Sequence, residues 1–318
     1  MRTAVLGLGL VGGSVARALA QDPVQAVVGH DPVEGERARA DGFVVADTVE
    51  EAVDGADVVV LAAPVDVNDA LLARLPAGCL VTDVGSVKEP LVRRWEQLPA
   101  PPGLVPGHPM AGAETAGWAA SRSDLFAGAR WVLCPGPWAS AQQWLTVCRL
   151  VLGLGAVVVP ADPSRHDRAA AAISHAPHLV AAAVAASAAA AGPLALALAA
   201  GSFRDLTRIT ASPPGRTAAF CRANALPTAA AVQDVVQRLE DVVRALLEGD
   251  DVTGLLLEGH AARARYDESR AASPGHPEST TTVSPDDPDW ATALLALGEA
   301  GGVVTGLRDG VLTVRRPA

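Results

Sequence analysis

Residues 107–114, Gly-His-Pro-Met-Ala-Gly-Ala-Glu, set one histidine among turn-forming residues. Imidazole is the side chain whose ordinary pKa lets it both take and give a proton near neutrality. Glycine and proline on either side predict a loop that keeps the ring within reach of a reacting group. His108 is therefore the candidate general base, against the plainer reading of a hydrogen-bonded loop histidine.

Gly7, Gly9 and Gly12 follow a short apolar run, Thr3 to Leu6, and open an amphipathic stretch that ends at Ala20. In that setting the first glycine permits a tight turn, the second lets backbone N–H groups approach a pyrophosphate, and the third lets helix and strand pack closely. Asp31 stands 19 residues after Gly12, at the end of the next strand. A carboxylate there accepts from both ribose hydroxyls and repels a 2′-phosphate, which favours NAD over NADP. The alternatives are an unliganded glycine turn and a site for FAD or another nucleotide.

Three further motifs carry chemistry. In Asp83-Val84-Gly85-Ser86-Val87-Lys88 the segment follows a strand, so it sits at the carboxyl edge of a sheet, where ligands of open α/β folds bind. Ser86 fits two roles there, orienting a hydroxyl or nicotinamide, or capping the next helix; Lys88 fits an anion contact or a cap. Ile173-Ser174-His175-Ala176-Pro177-His178 puts two histidines three apart, on one face of a helix. Zinc would need further ligands that the neighbourhood does not offer, so anion or carbonyl recognition by one ring and packing by the other is the better reading. Gly201 to Thr210 presents Arg204 and Arg208 four apart, with Asp205 able to pair with one. Arg208 as a bidentate carboxylate clamp stands against a surface ion pair.

The elements that must position these residues alternate strand and helix through the first half: strands at Thr3–Leu6, Ala26–Gly29, near Val44, Asp57–Ala62, Leu80–Asp83, Gly103–Pro106 and Trp131–Cys134. That order predicts a parallel sheet covered on both faces. From Ser164 the pattern is helical only. Thr228 to Glu248 lines up Val232, Val235, Val236, Leu239, Val242, Val243, Leu246 and Leu247 in one stripe, which must pack on an internal helix or a partner subunit. Residues 269–288 read as a Ser/Thr/Pro/Asp-rich linker. The tail offers a helix, Trp290 to Ala300, and a hairpin turning at Asp309-Gly310.

The chain has 318 residues, half of them hydrophobic, with a net charge of −10 and 24 Arg against a single lysine, Lys88. With no run of basic residues to track a phosphate backbone, nucleic-acid binding is not expected. Four cysteines, Cys79, Cys134, Cys148 and Cys221, have no metal-ligand spacing and fit free thiols in the cytoplasm. Residues 1–20 imitate a secretory signal, but the glycine pattern explains them better. Residues 179–203 carry no charge and are long enough to span a bilayer; being mostly alanine and broken by Gly192-Pro193, they read as packed, buried helices instead.

Taken together, GLGLVGGS, DVGSVK, GHPMAGAE, SHAPH and GSFRDLTRI resemble, in order and spacing, the prephenate and arogenate dehydrogenases of tyrosine biosynthesis, over about residues 1 to 268. The resemblance implies an α/β fold: a Rossmann-type parallel sheet over 1–160, an all-α substrate and dimerisation domain over 161–268, the linker at 269–288, and a short α+β tail over 289–318. That tail looks like a fragment of a regulatory ACT module, too short to be complete. The resemblance further implies His108 as catalytic base with Ser86 beside the substrate hydroxyl and nicotinamide. It places substrate against His175, His178, Gly201, Arg208 and Glu114, and NAD against Gly7, Gly9, Leu10, Gly12, Asp31, Pro64 and Ser86, with no metal. The expected reaction is NAD-dependent oxidative decarboxylation of prephenate to 4-hydroxyphenylpyruvate by a cytoplasmic homodimer. Arogenate, an amino-substituted analogue of prephenate, or a non-catalytic nucleotide sensor are the competing readings.

Overall fold

The structure is a computed structural model and describes residues 1–113, 115–270, 278–284 and 286–316. Five parallel strands, β1 (Arg2–Leu6), β2 (Ala26–His30), β3 (Val58–Leu61), β4 (Leu80–Asp83) and β5 (Gly103–Val105), form a sheet in the order β2-β1-β3-β4-β5. The crossovers are α1 (Leu10–Leu19), α2 (Gly35–Ala40), α3 (Val49–Val53), α4 (Val65–Leu72) and α5 (Glu89–Glu96). Period-two alternation divides the strand side chains between two faces. Ala4, Leu6, Val59, Leu61, Val81 and Leu104 fill one apolar cluster, and Val5, Val58, Val60, Leu80 and Val105 fill the other. The apolar N-terminal segment that imitates a signal is thus β1, an interior strand of the sheet, and α1, its first crossover.

The parallel sheet ends at β5, and the later strands belong elsewhere. Across Pro106 the chain enters a second, mixed sheet of β6 (Gly107–Pro109), β7 (Arg130–Leu133), β8 (Val157–Pro160), β9 (Glu278–Thr282), β10 (Val303–Arg308) and β11 (Val311–Arg315), in the order β6-β7-β8-β10-β11-β9. β6 occupies the edge, where Pro109 costs no ladder hydrogen bond. His108 therefore sits in a strand, opposite Val132 of β7, and not in the loop its neighbours predict. Between β7 and β8, α6 (Ala141–Gly153) starts at a capping box made by Ser140 and Gln143.

The tail docks by strand addition. Val304 of β10 pairs with Val158 of β8, and the β10–β11 turn uses Asp309 (φ 49°) and Gly310 (φ 78°), the left-handed pair a two-residue hairpin requires. Residues 278–282, within the stretch expected to be a linker, form β9 and pair with β11. Three threonines in a row there suit a pleated strand better than composition alone suggests. With α14 (Trp290–Glu299) over it, the tail buries Leu294, Leu297, Val304 and Leu312 in the same cluster as Trp131 and Trp144.

The helical unit comprises α7 (Pro163–Ala170), a π-helical turn (Ala171–His175), α8 (Ala176–Ala190), α9 (Pro193–Ala197), α10 (Gly201–Thr207), a 3₁₀ turn (Arg208–Ala211), α11 (Pro214–Ala223), α12 (Ala225–Glu248) and α13 (Thr253–Arg270). α12 begins three residues before Thr228, with Pro227 in the first turn, where its missing N–H is harmless. It ends as expected at Gly249 (φ 77°). The buried-helix expectation for 179–203 does not hold within one chain: α8 buries only Ala176 and Ala181, and Leu194 and Leu198 are 71% and 72% exposed. The run Pro163–Ala190 is long and apolar enough by length and composition to cross a membrane. Along α12, Leu239, Val243, Leu246 and Leu247 also face outward.

Candidate active site

The nucleotide end is built by the β1–α1 turn. Gly7 (φ 104°) donates to His30 O at 2.9 Å; a Cβ on it would meet the Ala62 carbonyl at 2.6 Å, and a Cβ on Gly12 would lie 1.9 Å from Gly7 O. These two glycines are demanded by packing. Gly9 is different: a Cβ there meets nothing within 4 Å, and no side chain caps α1, whose first turn begins at the buried Leu10. An open, uncapped helix N-terminus fits a pyrophosphate. Asp31 does more than the sequence reading gave it: Oδ2 accepts from Leu8 N (2.7 Å), and Oδ1 from Val33 N (2.7 Å) and Glu34 N (2.9 Å). The carboxylate thus ties the glycine loop to the turn after β2. Pro64 is exposed at the carboxyl end of β3 and starts α4, accepting from Asn68 N at 2.8 Å.

His108 is held from behind by residues the sequence reading passed over. Its Nδ1 lies 2.9 Å from Nε2 of His166, whose Nδ1 lies 2.7 Å from Oδ1 of Asp167. Both partners are on α7 and are 5% and 1% exposed. Nε2 of His108 has no partner among the described residues. Burial pushes the His108 pKa well below the ordinary histidine range, and the neighbouring His166, Lys88 and His175 push it the same way. The ring is neutral at physiological pH, as a general base must be.

Asp167, on α7 of the helical unit, also caps α5, accepting Lys88 N (2.8 Å) and Glu89 N (2.9 Å). Ser86 is therefore not the N-cap; it lies half-buried in the turn between β4 and α5, with no hydrogen-bonding partner among the described residues. Lys88 is not an anion site either. Its side chain is fully buried and its Nζ donates to Asp83 Oδ2 and to Gly107 O (2.5 Å). Asp83 completes the link, accepting Gly85 N at 2.8 Å and Gly107 N at 2.9 Å. The Ser86 turn and the His108 strand are thus locked together at the carboxyl edge of the parallel sheet.

His175, on the π-helical turn, is buried and joins the same network: Asn224 Nδ2 reaches Asp167 O (2.7 Å) and His175 Nδ1 (3.1 Å), and Thr228 Oγ1 lies 3.3 Å from that nitrogen. Burial brings the His175 pKa down to about 4. The ring stacks on Phe220 at 4.7 Å, so it serves structure, while half-buried His178 meets Phe220 edge-on at 5.5 Å. The His178 pKa is lowered by burial and then by the charge of Arg216. That arginine, on α11, donates to Ala113 O (3.1 Å) and Ser212 Oγ (3.2 Å), and has no carboxylate partner among the described residues. Arg208 is exposed on the 3₁₀ turn, which with α10, opened by half-buried Gly201, packs against α8. Asp205 pairs with Arg204 at 3.1 Å on the surface. Glu114 lies outside the described residues. Among the described residues no three His, Cys, Asp or Glu side chains converge to hold a metal.

Of the residues missed, the adjacent His166-Asp167 at the start of the helical half was the visible signal; Asn224, Thr228 and Arg216 come close only through folding. What the arrangement offers is a neutral, backed imidazole, an open dinucleotide cradle and cationic side chains on the facing helices. Comparison with known proteins adds to this. Residues 15–160 match the family model described as prephenate dehydrogenase, nucleotide-binding domain, and 162–257 that described as prephenate dehydrogenase, dimerization domain. Prephenate dehydrogenase of Bacillus subtilis is 36% identical over 65% of this chain, the match spanning 60% of its own length; that of Lactococcus lactis is 29% identical over 92% of this chain and 85% of its own. The crystal structure of Aquifex aeolicus prephenate dehydrogenase in complex with hydroxyphenyl propionate and NAD+ superposes with a TM-score of 0.76 at 26% identity, over 84% of this chain and 98% of that one. The chain belongs to the prephenate dehydrogenase family.

Proposed function

We propose that this chain is an NAD-dependent prephenate dehydrogenase, which oxidatively decarboxylates prephenate to 4-hydroxyphenylpyruvate in tyrosine biosynthesis. The observation that carries the reading is the neutral His108, its Nε2 without a partner among the described residues, on a strand tied through Lys88 and Asp83 to the carboxyl edge of the parallel sheet that carries the open glycine cradle. Gly7, Gly9, Leu10 and Gly12 hold the pyrophosphate, Asp31 the ribose, and Pro64 and Ser86 border the nicotinamide. When bound, NAD+ supplies the hydride acceptor. His108 takes the proton of the ring hydroxyl at Nε2, and Ser86 orients that hydroxyl. Loss of carbon dioxide from the opposite ring carbon leaves an aromatic product, so the protein need only position the reactants and accept one proton. His178 and Arg208 line the substrate side, with Gly201 and His175 shaping it. Arg216 joins them as an anion contact, since the substrate is an anion and the chain carries a net charge of −10.

The outward leucines and valines of α12 and the alanine-rich face of α8 suit burial against a second copy, making the working form a homodimer. Free cysteines suit a cytoplasmic location. Purified protein with NAD+ and, separately, prephenate or arogenate tests the reading. NADH is expected with prephenate; its absence with both substrates overturns the assignment, and production from arogenate alone moves it to arogenate dehydrogenase.

A further inference from the structure

The network behind His108 fixes where its hydrogens are. Asp167 accepts Lys88 N, Glu89 N and His166 Nδ1, and an ionised carboxylate can only accept. His166 therefore carries a hydrogen on Nδ1, and a neutral ring with its hydrogen there presents a bare Nε2. The hydrogen in the 2.9 Å contact between the two rings then belongs to His108 Nδ1, which leaves His108 Nε2 unprotonated. The buried pair selects the tautomer a base needs.

Taking a proton raises a charge problem. Burial disfavours a cation at His108, and its neighbours His166 on α7, Lys88 at the start of α5 and His175 on the π-helical turn act in the same direction. Asp83 is the nearest acid on β4, but it is already bound to Lys88. The Cys134 thiol, just past β7, is pushed up by burial and stays neutral. The carboxylate left to balance a new positive charge is Asp167, and it touches His166 instead of His108.

We propose that His166 and Asp167 form a proton relay behind His108. As His108 Nε2 takes the substrate's hydroxyl proton, His108 Nδ1 passes its hydrogen to His166 Nε2. The substrate O–H and the His108 Nδ1–H bonds break, one N–H bond forms on each ring, and no electrons change hands. His108 ends neutral and the imidazolium sits on His166, against the Asp167 carboxylate. Both relay members act through His108 and are positioning residues; the inference rests on the dehydrogenase reading above.

Two measurements test it. In ¹⁵N-histidine-labelled wild-type protein without substrate, NMR should find both His108 and His166 as Nδ1–H tautomers, assigned with His108→Asn and His166→Asn; an Nε2–H tautomer at His108 overturns the relay. In turnover, His166→Asn should lower kcat about 10- to 100-fold, leave the prephenate KM within about twofold, and move the acid limb of kcat/KM to lower pH, which a merely structural role would not do. Unchanged kcat and an unmoved limb in a folded variant overturn the relay while leaving the dehydrogenase reading intact. Wild-type protein that makes no NADH overturns that reading, and the tautomer measurement then decides the geometry alone.

Discussion

Replacing Lys88 with methionine distinguishes a structural lysine from a substrate-binding one. Its ammonium and the Asp83 carboxylate are 0% and 2% exposed, and the ammonium also serves Gly107 O. Lys88→Met leaves Asp83 with two backbone donors and no counter-charge, and leaves a buried carbonyl without its donor. Removing one partner of a buried pair costs about 3–5 kcal/mol. At roughly 2–4 °C per kcal/mol, the scale for chains of about 150–250 residues, the Tm should fall by about 6–20 °C. Urea unfolding followed by tryptophan fluorescence measures the loss. Because most of it comes from the stranded charge, Lys88→Met with Asp83→Leu should recover more than half. Stability within about 1 kcal/mol of wild type, together with a raised KM for prephenate, would refute the reasoning and return Lys88 to the substrate.

Other expectations follow from single features. Asp31→Ser removes a charge that repels a 2′-phosphate, so kcat/KM for NADP+ relative to NAD+ should rise by about tenfold or more; three backbone donors also lose their acceptor, lowering stability by about 1–3 kcal/mol. A Cβ on Gly298 would lie 1.7 Å from Pro160 O. Gly298→Ala should therefore loosen the tail by about 1–3 kcal/mol, read as faster hydrogen exchange in β10 and β11. The folded pKa of His175, about 4, lies below its unfolded value, so the stability it contributes is present above about pH 6.5 and lost as pH falls towards 4. The urea midpoint of wild type should fall across that window, and that of His175→Phe should fall less.

Much of the fold was legible in the sequence because its signals are local. The glycine spacing, the alternating strands, the left-handed stop at Gly249 and the Asp309-Gly310 turn each depend on a few neighbouring residues. What escaped depends on partners distant in sequence. Pro106 lets the chain leave one sheet for another, a change no strand pattern records. Ser86 looked like a cap because Asp167, which caps α5 instead, lies 79 residues beyond Lys88, whose N–H it accepts. Lys88 looked like an anion contact because only the folded chain encloses it between Asp83 and Gly107. His108 itself was found from its neighbours' turn chemistry, although those neighbours form an edge strand.

Steady-state NADH formation from prephenate and NAD+ across pH, with wild type and His108→Asn, decides whether His108 is the base of a prephenate dehydrogenase. Wild-type kcat/KM should be flat near neutrality and fall only on the acid side, with turnover about 10²- to 10⁴-fold lower in the variant and little change in KM. A folded His108→Asn that turns over as fast as wild type would contradict that role.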